Sequence, residues 1–205
     1  VRVGDTVKVE RAGDVIPAIA ERVPVPGEER QAPFVMPDHC PVCGSAIARE
    51  GAYYYCTGQT ACMAQLKGAI VHYASRRALD IEGLGDKLVE QLVDKALVQS
   101  LPDIYALDLP TLAGLERMAE KSAQNLIDGI EASKQVPFER VLYSIGIRHV
   151  GETTAKKIAK KVKTFQVLIN STKQELLAID EVGEIIAESI AAYFAGPKNK
   201  EIIER

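Results

Sequence analysis

The sequence predicts a mainly α-helical chain: tandem helix-hairpin-helix units, preceded by a small four-cysteine finger and a short β remnant. Three observations carry this expectation. One glycine-turn frame recurs four times, all four cysteines fall inside 23 residues, and the first 23 residues alternate apolar and polar side chains as strands do. At 205 residues and 47% hydrophobic, the chain can bury a core as one large domain or two small ones. No apolar run approaches the length that crosses a membrane and no charged-then-apolar leader is present, so a soluble protein is expected. The chain starts at Val1 amid strand-like residues, which reads as an excised or processed piece.

Residues 1–23 place Val3, Val7 and Val9 among polar neighbours, then Val15, Ile16, Ile19 and Val23 after the turn signal Ala12-Gly13-Asp14. Two strands this short cannot stand alone, so they read as the tail of a β-barrel. Residues 24–38 scatter Pro24, Pro26, Pro33 and Pro37 among Gly, Glu and Arg, the composition of an extended linker. A domain boundary is expected there.

The finger spans 39–66. Cys40, Cys43, Cys56 and Cys62 have the spacing C-x2-C-x12-C-x5-C, and Gly44 permits the turn that aims backbone N–H groups at the thiolates. A segment this small has no core of its own, so metal binding supplies its folding free energy. Structural Zn2+ is the leading reading, with two disulfides or a redox pair the alternative; His39 or His72 could replace a sulfur but is not needed. Four sulfurs close a tetrahedral site and leave no position for substrate, so the metal should hold structure rather than do chemistry. Tyr53, Tyr54 and Tyr55 favour a strand whose alternate rings face opposite ways, packing on the finger or stacking on bases. A helix is expected from Ala64 to Ala74, with Leu66, Ile70 and Val71 on one side.

Residues 67–205 are read as four hairpins. The frame is clearest in Leu79-Asp80-Ile81-Glu82-Gly83-Leu84-Gly85, where Gly83 and Gly85 bracket an inward Leu84. Aligned on an anchor residue, it recurs at Gly85, Ala119, Gly151 and Gly183, spaced 32 to 34 residues apart. Each anchor follows an apolar residue and precedes, by four positions, a small one: Val89, Ala123, Ala155 and Ala187. Ala155, Ile158, Ala159 and Val162 make the buried stripe of a helix whose other faces carry lysines. Pro137 suits a helix start, Ser171 with Gln174 reads as a capping box, and Pro197 restarts a last short helix.

Such turns offer backbone N–H donors, with the positive end of the following helix, to a phosphate without reading bases. Segment 79–131 carries 4 basic and 11 acidic residues, whereas segment 140–173 carries 8 basic residues against Glu152 alone. A nucleic acid is therefore expected nearer the third hairpin, held in a salt-sensitive, sequence-independent way. The candidate contacts are Arg76, Arg77, Gly83, Gly85, Lys87, Lys121, Ser122, Arg148, Gly151, Thr153 and Thr154. For the arginine pair and the lysine faces, a solvated surface is the competing reading. The fourth turn is acidic around Gly183, which predicts a packing role, and Ala119 predicts a second turn less able to approach closely.

Several motifs in one order carry a resemblance: Arg11 to Pro17, Cys40 to Ser45, Cys56-Thr57-Gly58, Ser75 to Asp86, Gly114 to Met118, Lys121 to Asn125, and Leu142 to Arg148. Together they resemble the C-terminal half of bacterial NAD-dependent DNA ligases, across essentially the whole chain. The resemblance implies that residues 1–23 end an OB fold and that Cys40, Cys43, Cys56 and Cys62 hold Zn2+. It also implies a chain that grips nicked double-stranded DNA for the catalytic adenylylation domain of the same parent chain. Such enzymes use NAD and Mg2+, bound outside these residues, to seal nicks in replication and repair. The parent is expected to be a monomer in the bacterial cytoplasm, on the nucleoid. No Lys-x-Asp-Gly, the adenylylation motif, occurs in these residues, so the chain alone should not react with NAD and no catalytic residue is expected here. A non-enzymatic hairpin module of a repair or recombination complex, or a protein-interaction scaffold, remains the alternative.

Overall fold

A computed structural model of the protein describes residues 1–205 apart from Asp14 and Glu28. Strands β1 (Val7–Ala12) and β2 (Ile16–Arg22) pair antiparallel, with Ala12 opposite Ile16. Val3 lies outside β1, and the expected turn reaches Asp14, outside the described residues. The apolar residues of this hairpin are largely uncovered: Val9 is 58% exposed and Ile19 54%. Arg30 reaches back from the linker to donate from Nε and Nη2 to Asp5, at 2.9 and 2.8 Å, and this holds the Asp5 carboxyl below its usual range.

Strands β3 (Ile47–Glu50) and β4 (Tyr53–Cys56) form a second antiparallel hairpin, which carries one cysteine at its end. Helix α1 (Met63–Ala74) starts one residue after Cys62 and buries Leu66 and Ile70. From there to Phe194 one contiguous apolar core runs through every helical unit, with Ile70, Leu92, Ile104, Leu126, Leu142, Ile158 and Ile190 almost wholly buried. Burying each such side chain contributes roughly 1.5–3 kcal/mol.

Each anchor begins a helix: Gly85 before α2 (Asp86–Asp94), Ala119 before α4 (Glu120–Ser133), Gly151 before α6 (Glu152–Lys161) and Gly183 before α9 (Glu184–Ala195). The intervening helices are α3 (Leu109–Ala113), α5 (Phe138–Ser144), α7 (Phe165–Asn170) and α8 (Lys173–Leu177), and α10 (Pro197–Glu204) closes the chain. Helices α3, α5 and α8 pack against the helix after their own turn. The capping box before α8 uses Thr172 and Glu175 rather than Ser171 and Gln174. Ser171 Oγ donates instead to the Val167 carbonyl at 2.8 Å, so the next residue takes the cap.

The turns share one backbone. Two residues before each anchor the chain is left-handed, at Gly83 (φ 89°), Arg117 (60°), His149 (65°) and Glu181 (62°). The anchors themselves are extended, with φ from −96° to −73°, which any residue adopts. Ala119 is therefore unstrained: φ favours glycine two residues before the anchor, not at it, and the expectation that Ala119 limits close approach concerns the space outside the turn instead. Side chains other than glycine in the left-handed region cost roughly 1–2 kcal/mol. Arg117→Gly should therefore raise stability by roughly 0.5–1 kcal/mol, and Gly83→Ala should lower it by at least as much. Urea unfolding of both variants reads the opposite signs.

Candidate nucleic-acid interface and metal centre

The four cysteine Sγ atoms lie within 4.8 Å of one another, with Cys43 to Cys56 at 3.4 Å and Cys40 to Cys62 at 4.0 Å. Sulfurs bound tetrahedrally at a Zn–S length of 2.3 Å stand about 3.8 Å apart, so the cluster fits a shared ion. Every thiol is free, and no pair stands at disulfide length. The loop is built for this. Gly44 is left-handed (φ 71°), its N–H donates to the Cys40 carbonyl, and the Cys40 N–H donates to Ser45.

The Ser45 hydroxyl and amide pull the Cys43 thiol down to about 6, toward the thiolate a metal takes. The Gly58 N–H donates to Cys56 Sγ, but burial and the neighbouring thiols outweigh it and push Cys56 up to about 11. In the sequence Gly58 stands out only as part of Cys56-Thr57-Gly58. A Cβ there would stand 2.8 Å from Ser45 Oγ and 3.0 Å from Cys43 Sγ, so only glycine lets the chain pass the sulfurs. His72 is committed elsewhere, with Nε2 at 2.9 Å from the Tyr143 carbonyl.

Of the candidate contacts, Arg76, Arg77, Gly83, Gly85, Lys87, Lys121, Ser122, Arg148, Gly151 and Thr153 are exposed, and Thr154 is half-buried. No side chain caps the first turns of α2, α4, α6 or α9, as also at α1, α5 and α10, whereas Asp108, Thr164 and Thr172 cap α3, α7 and α8. A Cβ added at Gly85, Gly151 or Gly183 would meet nothing within 4 Å. The first, third and fourth hairpins therefore present orphan N–H donors beside open space, the arrangement that accepts an anion.

The turns are braced from outside their own hairpins. Gln91 on α2 both donates to and accepts from the Glu116 backbone in the second turn, at 3.2 and 2.9 Å. At the equivalent place on α6, Lys157 pairs with Asp180 at 2.7 Å and with Glu181 in the fourth turn, and these carboxylates, Asp180 foremost, raise its pKa. Arg140 on α5 donates to the Ala78 and Arg76 carbonyls at 2.6 and 2.7 Å, fixing the loop before the first turn. Arg148 makes a bidentate pair with Glu50 of the finger and stacks 4.7 Å from the Tyr55 ring centroid, so it braces the third turn as well as facing solvent. Gln91 and Lys157 both stand six residues after an anchor, a regularity the repeat alignment contained. Arg140 and Glu50 carry no comparable signal.

Removing metal with a strong chelator should expose the amides of residues 40–62 to hydrogen exchange while the helical signal persists, because the core from Leu66 onward is independent of the sulfurs. Gly58→Ala should weaken zinc binding at least about tenfold, read by competition with a chromophoric chelator. Protected finger amides after complete metal removal would refute the structural role.

Comparison with known proteins adds identity to this geometry. Residues 39–64 match the family described as the NAD-dependent DNA ligase C4 zinc finger domain. Residues 75–132 match the SAM-like helix-hairpin-helix tandem, and residues 140–203 match the helix-hairpin-helix motif. A DNA ligase of Phocaeicola vulgatus is 48% identical over 99% of this chain and 31% of its own length. A DNA ligase of Methylococcus capsulatus is 49% identical over 100% of this chain and 31% of its own length. The chain thus spans about a third of the length of the curated relatives it matches. With the finger and both hairpin pairs matched in order, the chain belongs to the DNA ligase family, as the part that carries its zinc finger and its helix-hairpin-helix units.

Proposed function

We propose that the chain is the duplex-gripping part of an NAD-dependent DNA ligase, a monomeric enzyme that seals nicks during replication and repair in the bacterial cytoplasm. The observation that carries this is the fourfold repeat of an exposed turn with uncapped helix N–H groups and no atom where a Cβ would sit at Gly85, Gly151 and Gly183. Neither the φ angles nor internal crowding call for glycine at those anchors, so close approach by an external ligand supplies the reason. A DNA backbone phosphate fits: it is anionic, regularly spaced and indifferent to base sequence.

Around the turns, Lys87, Lys121, Ser122, Thr153 and Thr154 add donors, and Arg76 and Arg77 add charge from the preceding loop. The finger contributes by steadying the third turn through Glu50 and Tyr55. In the parent enzyme a lysine outside these residues takes AMP from NAD as the pyrophosphate bond breaks and nicotinamide mononucleotide leaves, with Mg2+ as the accompanying ion. AMP then passes to the 5′-phosphate of the nick, and the 3′-hydroxyl displaces it. The division of the chain into residues 1–23 as the end of an OB fold, linker 24–38, finger 39–66 and hairpin domain 67–205 belongs to the same reading.

Fluorescence anisotropy with nicked duplex across a salt series tests it. The chain should bind with an affinity that falls as salt rises, and Gly151→Val should weaken binding and reduce the salt slope by about 1 for a lost phosphate, with thermal stability unchanged. Salt-independent binding, or none at low ionic strength, would sink the reading. A second assay addresses the chemistry: incubation with labelled NAD should leave no AMP-protein adduct, and any such adduct would place the reacting lysine inside this chain.

A further inference from the structure

A cleft of about 490 Å³ lies between the loop before the first hairpin and the first turn of α6, lined by Arg76, Arg77, Glu139, Arg140, Glu152 and Lys156. Four of these six side chains are cations. We propose that this cleft receives a DNA backbone phosphate, and that Glu152 is its resident counter-ion, a carboxylate occupying the charge environment that the phosphate takes over. The inference rests on the duplex-binding reading and assigns it a particular seat.

All four hairpin helices start with an acid, Asp86, Glu120, Glu152 and Glu184, as the positive end of a helix favours. Their surroundings differ. Glu152 takes Lys156 at 2.6 Å and Arg77 at 4.0 Å, and Arg140 adds to the field that lowers its pKa, after Lys156 and Arg77. Glu184 meets Lys173 at 3.9 Å, and neither Asp86 nor Glu120 has an ion pair among the described residues. Helix dipole complementarity alone would not gather basic side chains from three separate elements around one of four equivalent acids.

The cleft's frame is fixed. Arg140 spends its Nε and Nη2 on the Ala78 and Arg76 carbonyls, so the loop cannot retreat, and the loop's own turn is closed by bonds from Ala78 and Asp80 amides to the Ser75 carbonyl. Arg77 projects from that loop with its side chain 80% exposed, able to turn from the carboxylate to an incoming phosphate. Immediately before Glu152 stands Gly151, where a Cβ would meet nothing within 4 Å, leaving the α6 amides approachable. A phosphodiester presents one negative charge on two oxygens, as a carboxylate does, so the same cations serve both.

The test uses the whole 205-residue chain, labelled nicked duplex and anisotropy across a salt series. Glu152→Gln should tighten binding about three- to tenfold and steepen the salt slope by about 1, as the released cations find phosphate. Glu120→Gln, the same helix position without the ring of cations, should change affinity less than about twofold. Combined Arg77→Ala and Lys156→Ala should weaken binding and abolish the gain from Glu152→Gln. Melting curves for every variant separate affinity from folding. Equal gains from Glu152→Gln and Glu120→Gln, or a gain that survives loss of Arg77 and Lys156, would overturn the assignment while leaving duplex binding intact. No salt-sensitive binding by the parent chain would instead overturn the function on which it rests.

Discussion

Each turn is displayed to solvent by what it buries. The residue four before the anchor, the residue just before it and the small residue four after it point into the core, at Ile81, Leu84 and Val89 in the first hairpin and Ile147, Val150 and Ala155 in the third. The amide before the anchor closes on the carbonyl three residues back, and the amide four beyond the anchor closes on the anchor's own carbonyl. With both sides nailed down, the left-handed residue and the anchor have nowhere to go but outward. Burial sets the exposure of the donors, which is why a turn rich in free N–H groups does not collapse onto the protein that carries it.

This division of labour explains which parts of the molecule were legible beforehand. The four frames could be read because a buried triplet at fixed spacing, a small residue and a helix start are all sequence-visible. The cysteine cluster could be read because a thiolate site constrains residue type and spacing together. What glycine does in each turn could not, since a glycine demanded by φ and one kept for open space look alike in a string of letters. Gly83 is the first kind and Gly85 the second. The cap before α8 sits one residue later than the sequence predicts for a similar reason: Ser171 and Thr172 are both competent caps, and the choice depends on whether Ser171 first bonds back to α7.

Long-range bracing was the least legible part. Glu50 and Arg148 are 98 residues apart, and Arg140 and Arg76 are 64 apart, so no local pattern links them. These contacts decide the behaviour of residues that looked interchangeable in the sequence. Arg148 resembles a phosphate ligand by position, yet its guanidinium is shared between a carboxylate and a ring on the finger. The finger and the third turn are therefore joined through Arg148, by a side-chain contact that involves none of the four sulfurs.

The halves of the hairpin array solve the same bracing problem with different chemistry. Gln91 holds the second turn through two neutral bonds to the Glu116 backbone, which leave the net charge of that turn unchanged. Lys157 holds the fourth turn through Asp180 and Glu181, and in doing so neutralises part of the charge that would repel a phosphate there. The acidic fourth turn and the lysine-rich α6 are thus not separate features of the charge pattern. One offsets the other, and a separate group of basic residues, Arg76, Arg77, Arg140 and Lys156, lines the cleft between the loop before the first hairpin and the start of α6. Charge segregation along the chain overstates the difference between the hairpins, because Lys157 is committed to the acids of the fourth turn.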